Sequence, residues 1–346
     1  MHSWRKLKRI VRPRSLGVTE QYGVELRELH FTNPVFRSGK MYSPKKQTEL
    51  DLGAVVKGVG KTIHTRYGPV VVTCHGDPSC TPCVTYHDVG LNHSSCFQSL
   101  LVCSSNRPLL VENFCFYHID APGSEEGAFD VSPDILPMTM AKLSDQVLEV
   151  ISYLGLREVV GMGVGSGGHV LVKAAATNPG AFAGLILSSP PCLKPGWWEW
   201  SMGKVALQRL KWGGMVDSVK DHVIARLLKS VGRSEDLANT LRIELSQRNP
   251  QGVHAYLSAT LNREDLSDDL KKVTCRVLLL TGDQSIYRPD GLHMNTVIDR
   301  AHSAWVEIES AGCLATEEKP HELLSPIQLF LQALQMNGYG FSWDLH

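Results

Sequence analysis

The chain of 346 residues is long enough for a sizeable hydrophobic core, and its apolar content of 43% is ordinary for a globular protein. Its 35 Lys and Arg residues balance 35 Asp and Glu residues, so no overall charge attracts nucleic acid or acidic substrates. No apolar run approaches the roughly 18 residues that a membrane-spanning helix requires. Nine cysteines, an odd number that lie mostly in apolar segments, predict reduced thiols in a cytoplasmic protein.

The N-terminal segment differs in composition from the rest of the chain. Residues 1–50 are polar and predict a basic, mostly irregular extension. Residues 1–14 contain several Lys and Arg residues and no acid, while Trp4, Leu7 and Val11 recur at helical spacing. This pattern is compatible with a membrane-surface helix, an organelle transit segment or a disordered basic arm, of which we favour the arm. It lacks the apolar region of a secretory signal.

From residue 53 onward, the hydrophobic pattern predicts strands that alternate with helices. Short apolar runs bounded by turn residues indicate strands, and apolar residues that recur every three or four positions indicate helices. The predicted strands cover residues 54–65, 68–76, 83–88, 113–120, 157–164, 182–190, 275–283 and 303–310. The predicted helices cover residues 93–103, 141–156, 167–179 and 320–334.

This alternation predicts a mostly parallel central sheet that helices cover on both faces. Residues 195–270 interrupt the alternation and are rich in predicted helix, so we predict that they form an inserted helical cap. The core then comprises residues 51–194 and 271–346. The WWEW motif at residues 197–200 could line a ligand groove or a partner surface. Because aromatic clusters in caps more often belong to the hydrophobic core, we predict that this motif is part of the core.

The turn after residues 157–164 has the glycine pattern of a nucleophile elbow. In α/β-hydrolases, a Gly-x-Ser-x-Gly turn joins a strand to a helix and holds the nucleophile at its centre. The sequence GVGSG keeps the flanking Gly163 and Gly167, but its centre is Gly165, which has no side chain to attack a substrate. Ser166 fits the pattern less well as a nucleophile, because Val164 then stands where a small residue is expected.

The positions expected for the other two members of a Ser-His-Asp triad are also replaced. The acid should follow the penultimate strand, where TGDQS places Ser285, and Asp283 is two residues out of register. The base should follow the last strand, where AGCLATEEKP places Cys313. Replacement of the nucleophile, the acid and the base together predicts a protein that is not an enzyme.

Two further features bear on the expected hydrolase centre. Backbone N–H groups of an oxyanion hole could remain at Ser166 and in the loop at residues 88–90. However, Asp88 follows His87 where hydrolases usually carry Gly, and we expect its carboxylate to repel a developing oxyanion.

The sequence predicts neither a cofactor nor a metal. The glycines at residues 161–168 match neither the Rossmann nor the Walker spacing at the required place. Cys80 and Cys83 form one CxxC, but a zinc site needs two more ligands, and no second CxxC or paired His motif follows. We therefore expect a surface loop that holds two thiols.

The remaining histidines have structural interpretations that we favour over catalysis. His75 and His87 end predicted strands and are expected to make hydrogen bonds in loops. His169 is expected to pack against or cap the helix after the elbow, and His321 is expected to be exposed at the start of the last helix.

Several segments together resemble the N-myc downstream-regulated (NDRG) family. They are VTYHDVGLNHSSCFQSLL, NFCFYHIDAPGSEEGA, ILSSPPCLKPGWWEW and LLLTGDQSIY, while IESAGCLATEEKPHELL and the short ending NGYGFSWDLH fit its plant branch. The resemblance covers roughly residues 53–340. It implies an α/β-hydrolase fold without a hydrolytic triad and a role in differentiation, stress responses and trafficking. For the plant branch it also implies links to heterotrimeric G-protein subunits and auxin transport.

Three hypotheses about function follow. The first is a non-catalytic protein that acts through protein partners, with peripheral membrane contact through residues 1–14 as an added expectation. The second is a pseudo-hydrolase that binds a small apolar ligand under the cap. The third is an altered hydrolase that uses Ser166 or Cys313, which needs a base within hydrogen-bond reach of the nucleophile.

Overall fold

The computed structural model describes residues 58–103, 110–128, 130–228 and 235–335 of the chain. The predicted N-terminal extension, including the basic residues 1–14, lies outside this described part. Among the described residues, no helix combines the length and the apolar character needed to cross a membrane.

Eight strands form one sheet in the order β1-β2-β4-β3-β5-β6-β7-β8. β2 pairs antiparallel with both β1 and β4, and every other neighbouring pair is parallel. The mostly parallel sheet that the sequence predicts is therefore confirmed. The strands are β1 (Val59–Thr65), β2 (Gly68–His75), β3 (Thr81–Tyr86), β4 (Phe114–Asp120), β5 (Val159–Val164), β6 (Phe182–Ser188), β7 (Arg276–Gly282) and β8 (Ser303–Ile308).

Helices connect the parallel strands and also form a long segment between β6 and β7. The helices outside that segment are α1 (His93–Val102), α2 (Met140–Tyr153), α3 (Ser166–Thr177), α9 (Arg288–Val297), α10 (Ala315–Glu318) and α11 (Pro320–Gln335). The segment between β6 and β7, which we name the cap helices, consists of α4 (Trp197–Gly213), α5 (Asp217–Leu227), α6 (Glu235–Ser246), α7 (Pro250–Leu261) and α8 (Ser267–Leu270).

Apolar layers cover both faces of the sheet, because successive side chains of a strand point to opposite faces. On β7, Val277 and Leu279 belong to the layer that includes residues of α2, α3 and α9. Leu278 and Leu280, which alternate with them, belong to the layer that includes residues of α1 and α11. Burial on both faces explains why the central strands read as continuous apolar runs.

The structure corrects two local expectations. Trp197, Trp198 and Trp200 of the WWEW motif are exposed rather than part of the core, because α4 turns Gly203, Ala206, Leu207 and Leu210 inward instead. Cys83 does not lie in a surface loop. It is fully buried within β3, which begins at Thr81, so only Cys80 of the CxxC pair lies outside a strand.

Candidate functional site

The turn between β5 and α3 has the backbone of a nucleophile elbow. Gly165 links the two elements with φ +51° and ψ −125°, in the left-handed region that favours glycine. The flanking glycines are required by close packing. A Cβ on Gly163 would lie 2.7 Å from the Cα of Gly168, and one on Gly167 would overlap the carbonyl oxygen of Tyr86. β5, this turn and α3 therefore form the strand–turn–helix junction that the glycine pattern predicts, with a glycine at its centre.

The carboxylate of Asp88 occupies the space that a side chain at Gly165 would need. A Cβ built on Gly165 would overlap the Asp88 carboxylate. Asp88 is fully buried, and its Oδ1 accepts hydrogen bonds from the backbone N–H of Ser166 at 2.9 Å and of Val89 at 2.8 Å. These are the positions of the two donors that form the oxyanion hole in α/β-hydrolases.

The role expected for Asp88 therefore changes. The sequence suggested an acid that repels an oxyanion while the backbone donors stay free. In the structure the Asp88 carboxylate is itself the anion bound by those donors, whereas its Oδ2 atom has no hydrogen-bond partner among the described residues. An oxyanion formed from a substrate would have to displace it.

Ser285 and Cys313, which stand at the positions predicted for the acid and the base, lie together. Ser285 Oγ and Cys313 Sγ are 3.1 Å apart, and both residues are buried. Burial raises the pKa of the Cys313 thiol to about 12, and the nearby charge of Asp88 acts in the same direction. The thiol is therefore protonated near neutral pH, which is the less nucleophilic form of cysteine.

Ser166, the alternative nucleophile, faces the cap helices. Its Oγ lies 3.1 Å from the hydroxyl of Thr260 on α7. Among the described residues, the side-chain hydrogen-bond partners of Ser166 and Cys313 are the hydroxyls of Thr260 and Ser285 rather than an imidazole. Neither residue is thus placed next to a base in this arrangement.

The buried histidines near the centre serve structural contacts. His87 Nε2 accepts from the backbone N–H of Ala121 at 2.9 Å, so its Nδ1 carries the proton and donates to the carbonyl of Asp88 at 2.7 Å. Burial lowers the pKa of His87, which keeps the ring neutral. His169 pairs through Nδ1 with the Pro191 carbonyl at 2.9 Å, and burial lowers its pKa to about 3.

The other two histidines that the sequence analysis singled out, His75 and His321, lie away from the elbow. His75 ends β2 as predicted, but its Nε2 atom has no hydrogen-bond partner among the described residues, so the expected loop contact through that atom is absent. His321 is exposed in the first turn of α11, as expected, and its Nδ1 lies 3.0 Å from Cys103 Sγ.

The cap helices lie directly on this centre. The carbonyl of Leu227, at the end of α5, accepts from the backbone N–H of Cys313 at 2.8 Å and of Leu314 at 3.0 Å. The hydroxyl of Tyr256 on α7 donates to the His87 carbonyl at 2.9 Å. With Asp88, Ser166 and Cys313 all buried, a molecule in solution does not reach these atoms in this conformation.

A buried polar network connects the cap helices to the loop after β7. Arg263 forms two hydrogen bonds of 2.8 Å with the carboxylate of Glu199. The Tyr287 hydroxyl donates to Glu199 at 2.8 Å and accepts from Arg226 Nη2 at 2.7 Å. Although burial opposes the charge of Arg226, its neighbours Tyr287 and Asp88 keep its pKa above the ordinary value. Sequence reasoning missed this network because its members are far apart in the chain and belong to no recognisable motif.

The described residues contain no group of three or more His, Cys, Asp or Glu side chains arranged to hold a metal ion. None of the nine cysteines, which all lie in the described part of the chain, forms a disulfide bond.

Comparison with known proteins identifies relatives over most of the chain. The model of the Ndr family matches residues 60–339. Protein NDL1 of Arabidopsis thaliana is 38% identical over 299 residues, which cover 84% of this chain and 85% of that protein. Protein NDRG2 of Mus musculus is 28% identical over 308 residues, which cover 84% of this chain and 80% of that protein. These matches confirm the resemblance predicted from the sequence motifs.

Solved structures that superpose on this chain include an esterase and a hydrolase. A thermophilic esterase from Thermogutta terrifontis superposes with a TM-score of 0.67 at 22% identity, covering 80% of this chain and 99% of the esterase. A hydrolase from Pseudomonas aeruginosa gives a TM-score of 0.67 at 20% identity, covering 79% of this chain and 98% of the hydrolase. The α/β-hydrolase fold is thereby confirmed, and at this identity the likeness concerns the fold alone.

Proposed function

This chain belongs to the Ndr family, and we propose that it acts without catalysis, through protein partners, in cytoplasmic signalling, development or stress response. The hydrolase scaffold then supplies a rigid surface rather than a reaction centre. Its partners are proteins, with heterotrimeric G-protein subunits as the first candidates on family resemblance.

The observation that carries the proposal is the position of the Asp88 carboxylate. It holds the backbone donors at Ser166 and Val89 and also fills the space beside Gly165. Acyl transfer needs both a nucleophile and free hydrogen-bond donors for the oxyanion. The Asp88 carboxylate leaves no space for a nucleophile at position 165 and occupies the donors. Cys313 and Ser285, which stand at the positions expected for the base and the acid, form a hydrogen bond with each other.

An ester panel tests the absence of catalysis. We expect the wild-type protein to give no turnover above the buffer rate with short- and medium-chain esters. Ser166→Ala and Cys313→Ala serve as controls for the altered-hydrolase alternative. Hydrolysis by the wild type that either substitution abolishes would refute the proposal and identify the nucleophile.

A binding experiment tests the partner class. The purified full chain, immobilised, is expected to retain G-protein β/γ subunits above the level retained by heat-denatured chain. Equal retention by both would remove this partner from the proposal while leaving the absence of catalysis untouched.

The second candidate function is binding of a small apolar ligand under the cap helices. In the cap helices, however, Thr260 of α7 contacts Ser166 directly and Tyr256 reaches the carbonyl of His87. Direct contacts between α7 and the elbow oppose a ligand cavity at this place, and they therefore favour partner binding over ligand binding. Native mass spectrometry of the purified protein separates the two, because a retained small molecule that is lost on denaturation would support the ligand.

Residues 1–14 are proposed to add peripheral membrane contact through their basic side chains. Deletion of residues 2–14 should then reduce binding to anionic vesicles. Unchanged binding would remove this part of the proposal.

A further inference from the structure

The outward face of α4 carries a stripe of exposed apolar side chains. Trp198, Met202, Val205 and Trp212 recur at spacings of four, three and seven residues, which places them on one side of a helix. Trp198 is 69% exposed and Trp212 is 76% exposed. The opposite side of α4 is already buried through Gly203, Ala206, Leu207 and Leu210, so the stripe has no partner within the described residues.

Tryptophan dominates this surface to an unusual degree. The chain contains seven tryptophans, and Trp197, Trp198, Trp200 and Trp212 all lie in α4. All four are exposed. Large exposed apolar patches of this kind mark interaction sites, and Trp in particular is enriched where a protein meets the headgroup region of a membrane.

The exposed charges of α4 itself have one sign. The exposed charged side chains of α4 are Lys204, Arg209 and Lys211, all basic. Glu199, the acid of this helix, faces inward and is neutralised by Arg263. Lys204 Nζ lies 5.5 Å from the Trp200 ring centre and Lys211 Nζ lies 5.8 Å from that of Trp212, so positive charge and aromatic surface are contiguous.

A groove beside the stripe extends the basic surface. It lies between α4 and α7 and has a volume of about 610 Å³. Its lining includes Lys204, Lys211 and His254 and contains no acidic residue. Burial lowers the pKa of His254, and the charges of Lys211 and Lys204 lower it further, so the positive charge of this groove comes from the two lysines.

From these observations we infer that α4 is a membrane-docking helix that binds the surface of an anionic lipid bilayer. Trp198 and Trp212 of the stripe enter the headgroup region, and Lys204, Arg209 and Lys211 contact the lipid phosphates and carboxylates. A second copy of this chain fits less well, because a two-fold contact through the stripe would bring the same basic residues against one another. The inference goes beyond the proposed function, since it assigns a membrane-binding site to α4 that is separate from the contact proposed for residues 1–14.

Vesicle binding of the full chain tests the apolar part of this surface. The probes are vesicles of phosphatidylcholine alone and of phosphatidylcholine with phosphatidylserine. We expect the wild type to sediment with the anionic vesicles only, with a blue shift of tryptophan emission. Trp198→Ala combined with Trp212→Ala should weaken binding about tenfold, because two interfacial anchors are removed. Ile243→Ala, at a 64% exposed position on α6, is the matched control and should bind like the wild type.

A charge-reversal pair tests the basic part. Lys204→Glu combined with Lys211→Glu should also weaken binding about tenfold or more, since each basic residue near an anionic surface contributes to the attraction. Lys271→Glu combined with Lys272→Glu, at exposed positions after α8, is the control that changes net charge equally. All variants keep residues 1–14, and circular dichroism confirms that each is folded.

The outcomes are decisive in either direction. Selective loss of anionic-vesicle binding in both α4 pairs supports the docking helix. Equal loss in the Lys271/Lys272 pair would reduce the effect to net charge and overturn the inference. Full binding by both α4 pairs would also overturn it, as would wild-type self-association in light scattering that the Trp198/Trp212 pair abolishes without changing vesicle binding.

Discussion

Asp88 leaves no room for a side chain at Gly165, because its carboxylate occupies the volume into which any side chain at position 165 would project. The same carboxylate accepts hydrogen bonds from the backbone N–H groups of Ser166 and Val89. A single side chain on the loop after β3 thus opposes both a nucleophile and an oxyanion hole. We therefore expect that a serine introduced at position 165 would not by itself create a hydrolase centre.

Gly165→Ser should destabilise the protein. The residue has a left-handed φ, and its new side chain would overlap the buried carboxylate of Asp88. We expect the free energy of unfolding to fall by roughly 2–5 kcal/mol. Urea denaturation followed by circular dichroism measures it, and the ester panel should still show no turnover.

Two further variants separate the causes of that loss. Gly155→Ser also introduces a side chain at positive φ, but its Cβ meets nothing within 4 Å, so only a backbone cost of about 1 kcal/mol is expected. Gly165→Ser combined with Asp88→Gly should regain part of the stability because the overlap is removed. Equal losses for Gly155→Ser and Gly165→Ser would show that overlap with Asp88 is unimportant.

Asp88→Ala should be more damaging than Asp88→Asn. Alanine leaves the buried N–H groups of Ser166 and Val89 without an acceptor, which costs roughly 2–4 kcal/mol of unfolding free energy. Asparagine keeps one carbonyl oxygen for both donors and should cost much less. Equilibrium denaturation of the two variants side by side tests this order, and the reverse order would contradict the hydrogen-bond assignment.

Glu317 should make stability depend on pH near neutrality. Its carboxylate accepts from the backbone N–H of Ser99 at 3.1 and 3.2 Å, and burial raises its pKa to about 8 from an ordinary value near 4.5. Because the folded pKa is the higher one, the unfolded chain loses this proton first. The free energy of unfolding should therefore fall as pH rises from about 4.5 through 8.

Glu317→Gln removes this titration. We expect the stability of the variant relative to wild type to rise by about 1 kcal/mol or more between pH 5 and pH 9. Urea denaturation at a series of pH values measures the difference. Glu322→Gln, at an exposed position on the first turn of α11, is the matched control. A constant difference for Glu317→Gln across this range would disprove the assignment.

Glu199→Ala should lower the stability of the protein, because Glu199 links the cap helices to the loop after β7. The Arg263 side chain is only 2% exposed, and removal of Glu199 leaves its guanidinium buried without its carboxylate partner. Such a loss costs about 3 kcal/mol or more. Glu264→Ala removes an exposed partner of Lys173 and should cost under about 1 kcal/mol. Similar thermal denaturation midpoints for the two variants would show that the network contributes little to stability.

Much of the fold could be predicted because its signals are local. Strand-length apolar runs such as β5 and β6 follow from burial on both faces of the sheet, and α2 ends at Tyr153 because Gly155 adopts a left-handed conformation beyond it. The location of the WWEW motif was predicted wrongly, because its tryptophans suggested burial in the core. Only the packing of Ala206 and Leu210 shows which side of α4 is inside.

The sequence by itself determined that a glycine stands at the centre of the elbow and that Ser285 and Cys313 follow the last two strands, since each is a matter of spacing from a strand end. Only the tertiary structure decided that Asp88 binds the Ser166 backbone, 78 residues away, and that Arg226 meets Tyr287, 61 residues away. The physical reason is that parallel strands bring distant loops to one edge of the sheet, where side-chain direction and packing, rather than local spacing, determine the contacts.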